Sequence, residues 1–244
     1  VRLPIAVRTA DGGLLHAWIH PYRVVQDATL LVGGSATAPV RLTVSPEQVV
    51  RSSLAHGAAV TERWTVALEH PMMVWQVEAP DGVPVSLEWT VDIGSAAPAP
   101  ECLPAADRRS AVLRWPGQPF RLIIELEGGA LDPTTDGSVA RIAVHAEGTC
   151  RVRLTGAADE PDHERSRQML ARRGFAGVLR QRADHAAELA SYATSIETPE
   201  PALAESFEWA KVHMDGLLVG TPGVGRCLVS GYTADQAAPR FVTE

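Results

Sequence analysis

Apolar and polar residues alternate with a period of two over most of the first 156 positions, and then the period lengthens. Val83, Val85, Leu87, Trp89, Val91 and Ile93 alternate with Pro84, Ser86, Glu88, Thr90 and Asp92, which predicts a half-buried strand with one wet face. Val60, Trp64, Val66 and Leu68 share a face in the same way, with Glu62 the one misfit, read as lying near the strand end. Phe120, Leu122, Ile124 and Leu126 define a third strand, and Ala140, Ile142 and Val144 a fourth. Weaker alternation marks 3–9, 14–20, 22–32, 38–44, 72–78, 111–115 and 150–155. Turn signals divide these runs at Asp11-Gly12-Gly13, Gly33-Gly34-Ser35, Asp81-Gly82, Gly128-Gly129 and Asp136-Gly137. Many strands with no helical interludes predict a mainly β fold, a large antiparallel β-sandwich of two sheets followed by C-terminal α-helices. Asp81-Gly82 predicts a tight hairpin between 72–79 and 83–93. The Pro/Ala-rich segment 94–110 predicts a loop with neither strand nor helix.

After Asp159 the spacing becomes helical. From Glu164 to Tyr192, Phe175, Val178, Leu179, Ala186 and Leu189 recur on one face while arginines fill other positions, as on a solvated flank. Gly174 and Gly177 weaken this helix, so it either starts late, near Gly177, or bends between two segments. A second helix is predicted over 199–219, with Thr198 as cap and Pro199 at the first helical position. Its apolar stripe is Leu203, Phe207, Ala210, Met214, Leu217 and Leu218, and Trp209 lies away from the middle of that stripe, beside Glu208 and Lys211. Gly220, Pro222, Gly223 and Gly225 then end the helix in a glycine-rich turn. An amphipathic helix of this kind needs a partner surface, from this chain or another, so self-association through 199–219 is one expectation.

The run Phe207-Glu208-Trp209-Ala210-Lys211, followed by Thr221-Pro222-Gly223-Val224-Gly225-Arg226 and Leu228-Val229-Ser230-Gly231-Tyr232, resembles the first barrel helix and following loop of bacterial glycogen-debranching, amylo-alpha-1,6-glucosidase-like proteins of the six-hairpin glycosidase group. The resemblance in motif covers about the last fifty residues; upstream it is one of layout. It implies a supersandwich-like N-terminal domain over 1–157, a linker helix over 158–197, and the first helix and loop of a helical toroid over 198–244. It also implies that both catalytic acids lie beyond Glu244, so no catalytic residue is assigned. In a complete toroid the loop 223–232 would lie at the mouth, making Arg226 and Tyr232, followed by Arg240 and Phe241, the candidate substrate-binding residues for an α-glucan. The structural alternative is that Gly223 and Gly225 shape a turn and Tyr232 packs locally. The implied role is the non-catalytic portion of a glycoside-hydrolase-like protein; the alternatives are a stand-alone carbohydrate-binding sandwich or a protein-interaction module.

Charge and composition narrow the chemistry further. With 244 residues, 45% hydrophobic and 21% charged, the chain has an ordinary globular composition and can bury a good core. A net charge of −7 with scattered Lys and Arg gives no basis for nucleic-acid binding. No apolar run approaches the roughly 20 residues of a bilayer span, and residues 1–10 lack a signal-peptide core. Cys102, Cys150 and Cys227 form neither a metal spacing nor a disulfide framework, so a reducing, cytoplasmic setting is expected, with Cys150 as a small core residue. His16 and His20 have no zinc-ligand context, and neither a metal nor a cofactor is expected. Ser230 lacks the strand–turn–helix setting of a hydrolase nucleophile. Gly223 and Gly225 follow a helix and lack the third glycine of a nucleotide loop. Trp64 and Trp89 are expected in the core, whereas Trp18 and Trp115 are open between core packing and sugar stacking.

Overall fold

A computed structural model describes residues 5–7, 14–19, 22–68, 70–93, 98–137, 139–157, 160–192, 194–221 and 225–228. The first strands are β1 (Ile5–Val7), β2 (Leu14–Ile19), β3 (Tyr22–Val32), β4 (Ser35–Ala36) and β5 (Ala38–Val44). Then come β6 (Val49–Ala55), β7 (Ala58–Val66), β8 (Met72–Glu78), β9 (Pro84–Asp92) and β10 (Glu101–Pro104). The sandwich ends with β11 (Ser110–Arg114), β12 (Arg121–Glu127), β13 (Ala130–Asp136), β14 (Val139–Glu147) and β15 (Cys150–Ala157). Two helices follow, α1 (Glu160–Tyr192) and α2 (Pro201–Leu217), and then the strands β16 (Leu218–Thr221) and β17 (Gly225–Leu228).

All pairings are antiparallel. One sheet runs β1-β2-β3-β9-β14-β13 with β4 beside β3, and the other runs β10-β11-β12-β15-β8-β7-β6-β5. Neither closes into a barrel among the described residues. The expected sandwich is therefore present. Its alternating apolar faces meet in one core, where Trp75 of β8 reaches across to Trp89 of β9 with ring centroids 6.4 Å apart. Trp64 packs on Trp75 at 6.0 Å.

Four strands escape the apolar alternation, each for a physical reason. In β6 the inward face runs Val49, Arg51, Ser53 and Ala55, so the middle of that face is polar and the apolar alternation is lost there. Arg51 pairs in register with Glu62 of β7, its Nε donates to Glu62 Oε2 at 2.8 Å, and its guanidinium lies 5.3 Å from the Trp64 ring. Glu62 thus sits mid-strand and fully buried, not near a strand end. β13 contains Pro133, tolerated because this strand is at the edge of its sheet. β10 lies inside the segment expected to be irregular and pairs with β11. β4 is only two residues long.

The turn at Asp81-Gly82 does not close a hairpin. β8 pairs with β7 and β15, and β9 with β3 and β14, so the turn carries the chain from one sheet to the other. A tight turn specifies reversal, not which neighbour each strand adopts. Gly128-Gly129 makes another such crossing, from β12 to β13. A side chain at Gly128 would meet the Thr149 carbonyl oxygen at 2.6 Å, at a φ of +82°.

The two ends of the sandwich are finished differently. At one end the β10–β11 turn clips the β13 edge: Leu131 N donates to Arg108 O at 2.7 Å, and Arg108 Nε donates to Leu131 O at 3.2 Å. At the other end β5 is exposed along its length, Val40 and Val44 included.

α1 crosses the outer face of the second sheet. Val178 buries against Ala67 and Met72, with Met169 alongside, which explains why β8 is apolar on both faces. The helix bends at Gly174 (φ 60°, ψ −177°), the second of the two expected outcomes. α2 starts at Pro201 rather than Pro199, because a residue before proline is held extended, as Glu200 is at φ −97° and ψ 103°. Thr198 Oγ1 accepts from Glu200 N at 3.2 Å instead of capping the helix. After α2 the chain forms a β16–β17 hairpin, where the glycines had suggested only a turn.

Candidate functional site

α2 docks with its less apolar side. His185 of α1 and Asp215 of α2 meet at 2.8 Å between Nε2 and Oδ2. Arg182 of α1 donates to Pro46 O in the β5–β6 turn at 2.7 Å, so α1 is tied to both its neighbours. The stripe of Leu203, Phe207, Ala210 and Met214 faces the other way, with Leu203 53% and Met214 51% exposed. None of the described α2 residues is buried.

Where the β5–β6 turn, α1 and α2 converge, they leave a cavity of about 280 Å³. Its floor is apolar, from Val44, Pro46, Ala186, Leu189, Ala190 and Val212. Trp209 forms one wall, half-buried, its ring 5.8 Å from that of His213 on the next turn. Glu205, Glu208 and Lys211 also line it, and Lys211 Nζ is buried, 2.7 Å from Glu208 Oε2 and 5.7 Å from the Phe207 ring centroid. A larger polar groove of about 630 Å³ lies along α1, between Arg172, Arg180, Gln181, Asp184, His185 and Glu188.

Of the four substrate-binding candidates, Arg226 lies in β17 opposite Gly220, with its side chain outside the description. Tyr232, Arg240 and Phe241 lie outside the described residues, as do Gly223 and Ser230. Trp115, open between two roles in the sequence, is buried in the core against Phe120 at 5.8 Å. The Trp209 cavity was not foreseen. Its sequence signal was a tryptophan away from the middle of the apolar stripe, beside Glu208 and Lys211, which periodicity alone does not assign to a cavity.

On the sheets, Glu125 and Glu127 pair with Arg153, Glu127 also with Arg151, and Asp132 with Arg108. The Arg63 guanidinium bonded to Glu78 holds that carboxyl below its ordinary range, against a smaller opposing effect of burial. Burial pushes the Cys150 thiol up to about 12, in keeping with its core position, and raises that of Cys102. Glu205 and Glu208 line one cavity but stand on one flank of a single helix. Glycoside hydrolysis places its two carboxyl groups on either side of the scissile bond, so this pair is not arranged for it. Among the described residues no group of three or more His, Cys, Asp and Glu is placed to hold a metal ion. No described helix is long and apolar enough to cross a membrane.

No protein-family model and no curated protein matches the sequence. Solved structures do resemble the fold. A protein assigned as a kojibiose phosphorylase from the human microbiome aligns at a TM-score of 0.55 and 8% identity, over 89% of this chain and 35% of its own. A bacterial glucoamylase complexed with acarbose aligns at 0.49 and 6% identity, over 86% and 34%. The chain therefore spans about a third of the length of either protein. At these identities the likeness is one of fold.

Proposed function

We propose that this chain is the N-terminal, non-catalytic portion of a glycoside-hydrolase-like protein acting on α-glucans, with 1–157 as the sandwich, 158–197 as the linker helix and 198–244 as the first helix and loop of a helical toroid. The observation that carries this reading is the exposed apolar stripe of α2, which the described sandwich and linker leave uncovered. A helix with such a face is stabilised by packing it against further chain. The sandwich–helix layout shared with the kojibiose phosphorylase structure supports the same assignment, and the motif resemblance at 207–232 supplies the substrate class. Arg226, Tyr232, Arg240 and Phe241 then belong to the rim of the toroid's cleft, and the setting is cytoplasmic.

The stand-alone binding-module alternative draws less on the structure, since Trp64, Trp75, Trp89 and Trp115 are all core residues. Self-association through α2 is a competing use of the same stripe, and sedimentation velocity distinguishes the two: a monomer counts against it. The direct test is an assay of the purified 244-residue chain on α-glucan. No glucose release is expected, because the described carboxylates form no pair across a cleft. Release that survives further purification would overturn the proposal.

A further inference from the structure

From the open edge of the larger sheet, we infer that β5 pairs antiparallel with β5 of a second copy of this chain, across a two-fold axis at Leu42. β5 is the last strand of its sheet and pairs with β6 alone. The facing sheet has a path of six strands against eight, and its β13 end is clipped to the β10–β11 turn, so the longer sheet outruns it at β5. Leu42 and Val44 lie opposite Arg51 and Val49 and so share the inward face of β6. They are nevertheless 42% and 51% exposed, and Val40 is 66% exposed. Arg41 and Thr43 occupy the other face, so this part of β5 has the alternation of a half-buried strand without the burial.

The occupant follows from what this edge lacks. A strand is required, because a helix laid on it would cover its free N–H and C=O groups without pairing them. That strand must bring apolar side chains at alternate positions and no cation against Arg41, the only charge on β5. β5 meets each condition itself. With Leu42 on the axis, Leu42 faces Leu42 of the second copy, Val40 faces Val44, and Arg41 faces the uncharged Thr43. Pro39 and the register shift beside it blunt the start of the edge and confine the pairing to 40–44. So short a ladder buries less than a standard interface, which makes the association weak and concentration-dependent.

The test is sedimentation velocity of the intact 244-residue chain across the micromolar range. A reversible monomer–dimer equilibrium is expected. Leu42→Lys, which sets two ammonium groups against each other on the axis, should leave only monomer, whereas Leu203→Glu on α2 should leave the equilibrium unchanged. Circular dichroism checks that each variant is folded. The register has a separate readout. Directly opposed residues of an antiparallel pair have Cα atoms about 4.5–5.5 Å apart, within disulfide range. Leu42→Cys should therefore give a covalent dimer on mild oxidation, and Arg41→Cys none beyond that of the unaltered chain. A monomer at every concentration, a dimer that survives Leu42→Lys, or one that Leu203→Glu abolishes would overturn the inference. A monomer would leave the non-catalytic reading standing, since that reading falls on glucose release instead.

Discussion

The sandwich interior and the helix α2 have the same kind of sequence pattern and opposite fates. Trp75 on β8 is 1% exposed and Leu203 on α2 is 53% exposed, though each belongs to a regular apolar stripe. Every inward face of β7, β8, β9 and β14 meets another inward face of the same chain, and the outer side of β8 meets Val178 of α1. α2 turns its stripe away from all of these and is held on by His185–Asp215 and the walls of the Trp209 cavity. Periodicity therefore identifies which face of an element seeks burial, and only tertiary structure tells whether this chain provides the burial.

The largest consequence of that contrast lies inside the sandwich. Glu62→Ala leaves the Arg51 guanidinium buried without its partner and should cost about 3–5 kcal/mol in chemical denaturation. Replacing both by apolar residues, as in Arg51→Met with Glu62→Leu, should be nearly neutral or stabilising, because it removes the desolvation penalty as well. A second consequence appears at alkaline pH. The Cys150 thiol has its folded pKa raised from 9.0 to about 12 by burial, so the folded state retains a proton that the unfolded state gives up. That contribution to stability is complete below pH 9.0 and is lost as pH rises towards 12, and Cys150→Ala should flatten the decline in an equilibrium unfolding series. The smallest effect is expected on α2, where Leu203→Glu and Met214→Glu should each change the stability of the chain by less than about 0.5 kcal/mol. Leu87→Ala in the sandwich should cost about 2–5 kcal/mol by the same measurement; comparable values at the two places would erase the distinction.

Much of the sandwich was legible because burial on one face imposes the period of two. The runs at 60–66, 84–92, 121–127 and 139–147 show it most plainly. β6 was hidden because Arg51 and Ser53 at the middle of its inward face are charged or polar, matched by the equally polar Glu62 across the pairing. Pairing was less legible than the strands themselves. Asp81-Gly82 marks a chain reversal, yet β8 and β9 pair with strands distant in sequence, since hairpin formation depends on which neighbour covers each face. The start of α2 was misplaced by two residues because two prolines compete, and the second forbids helix at Glu200. The Trp209 cavity requires Pro46, Ala186 and Trp209 to meet from three separate segments, which no local pattern encodes.

Amide hydrogen exchange of the 244-residue chain measures the contrast most directly, residue by residue. The β8, β9, β14 and β15 amides should exchange only through global unfolding, whereas those of α2 over 201–217 should open locally at a far lower free energy. Protection of α2 equal to that of β8 would show that its apolar stripe is already covered, and the reading of α2 as a helix awaiting further chain would fail.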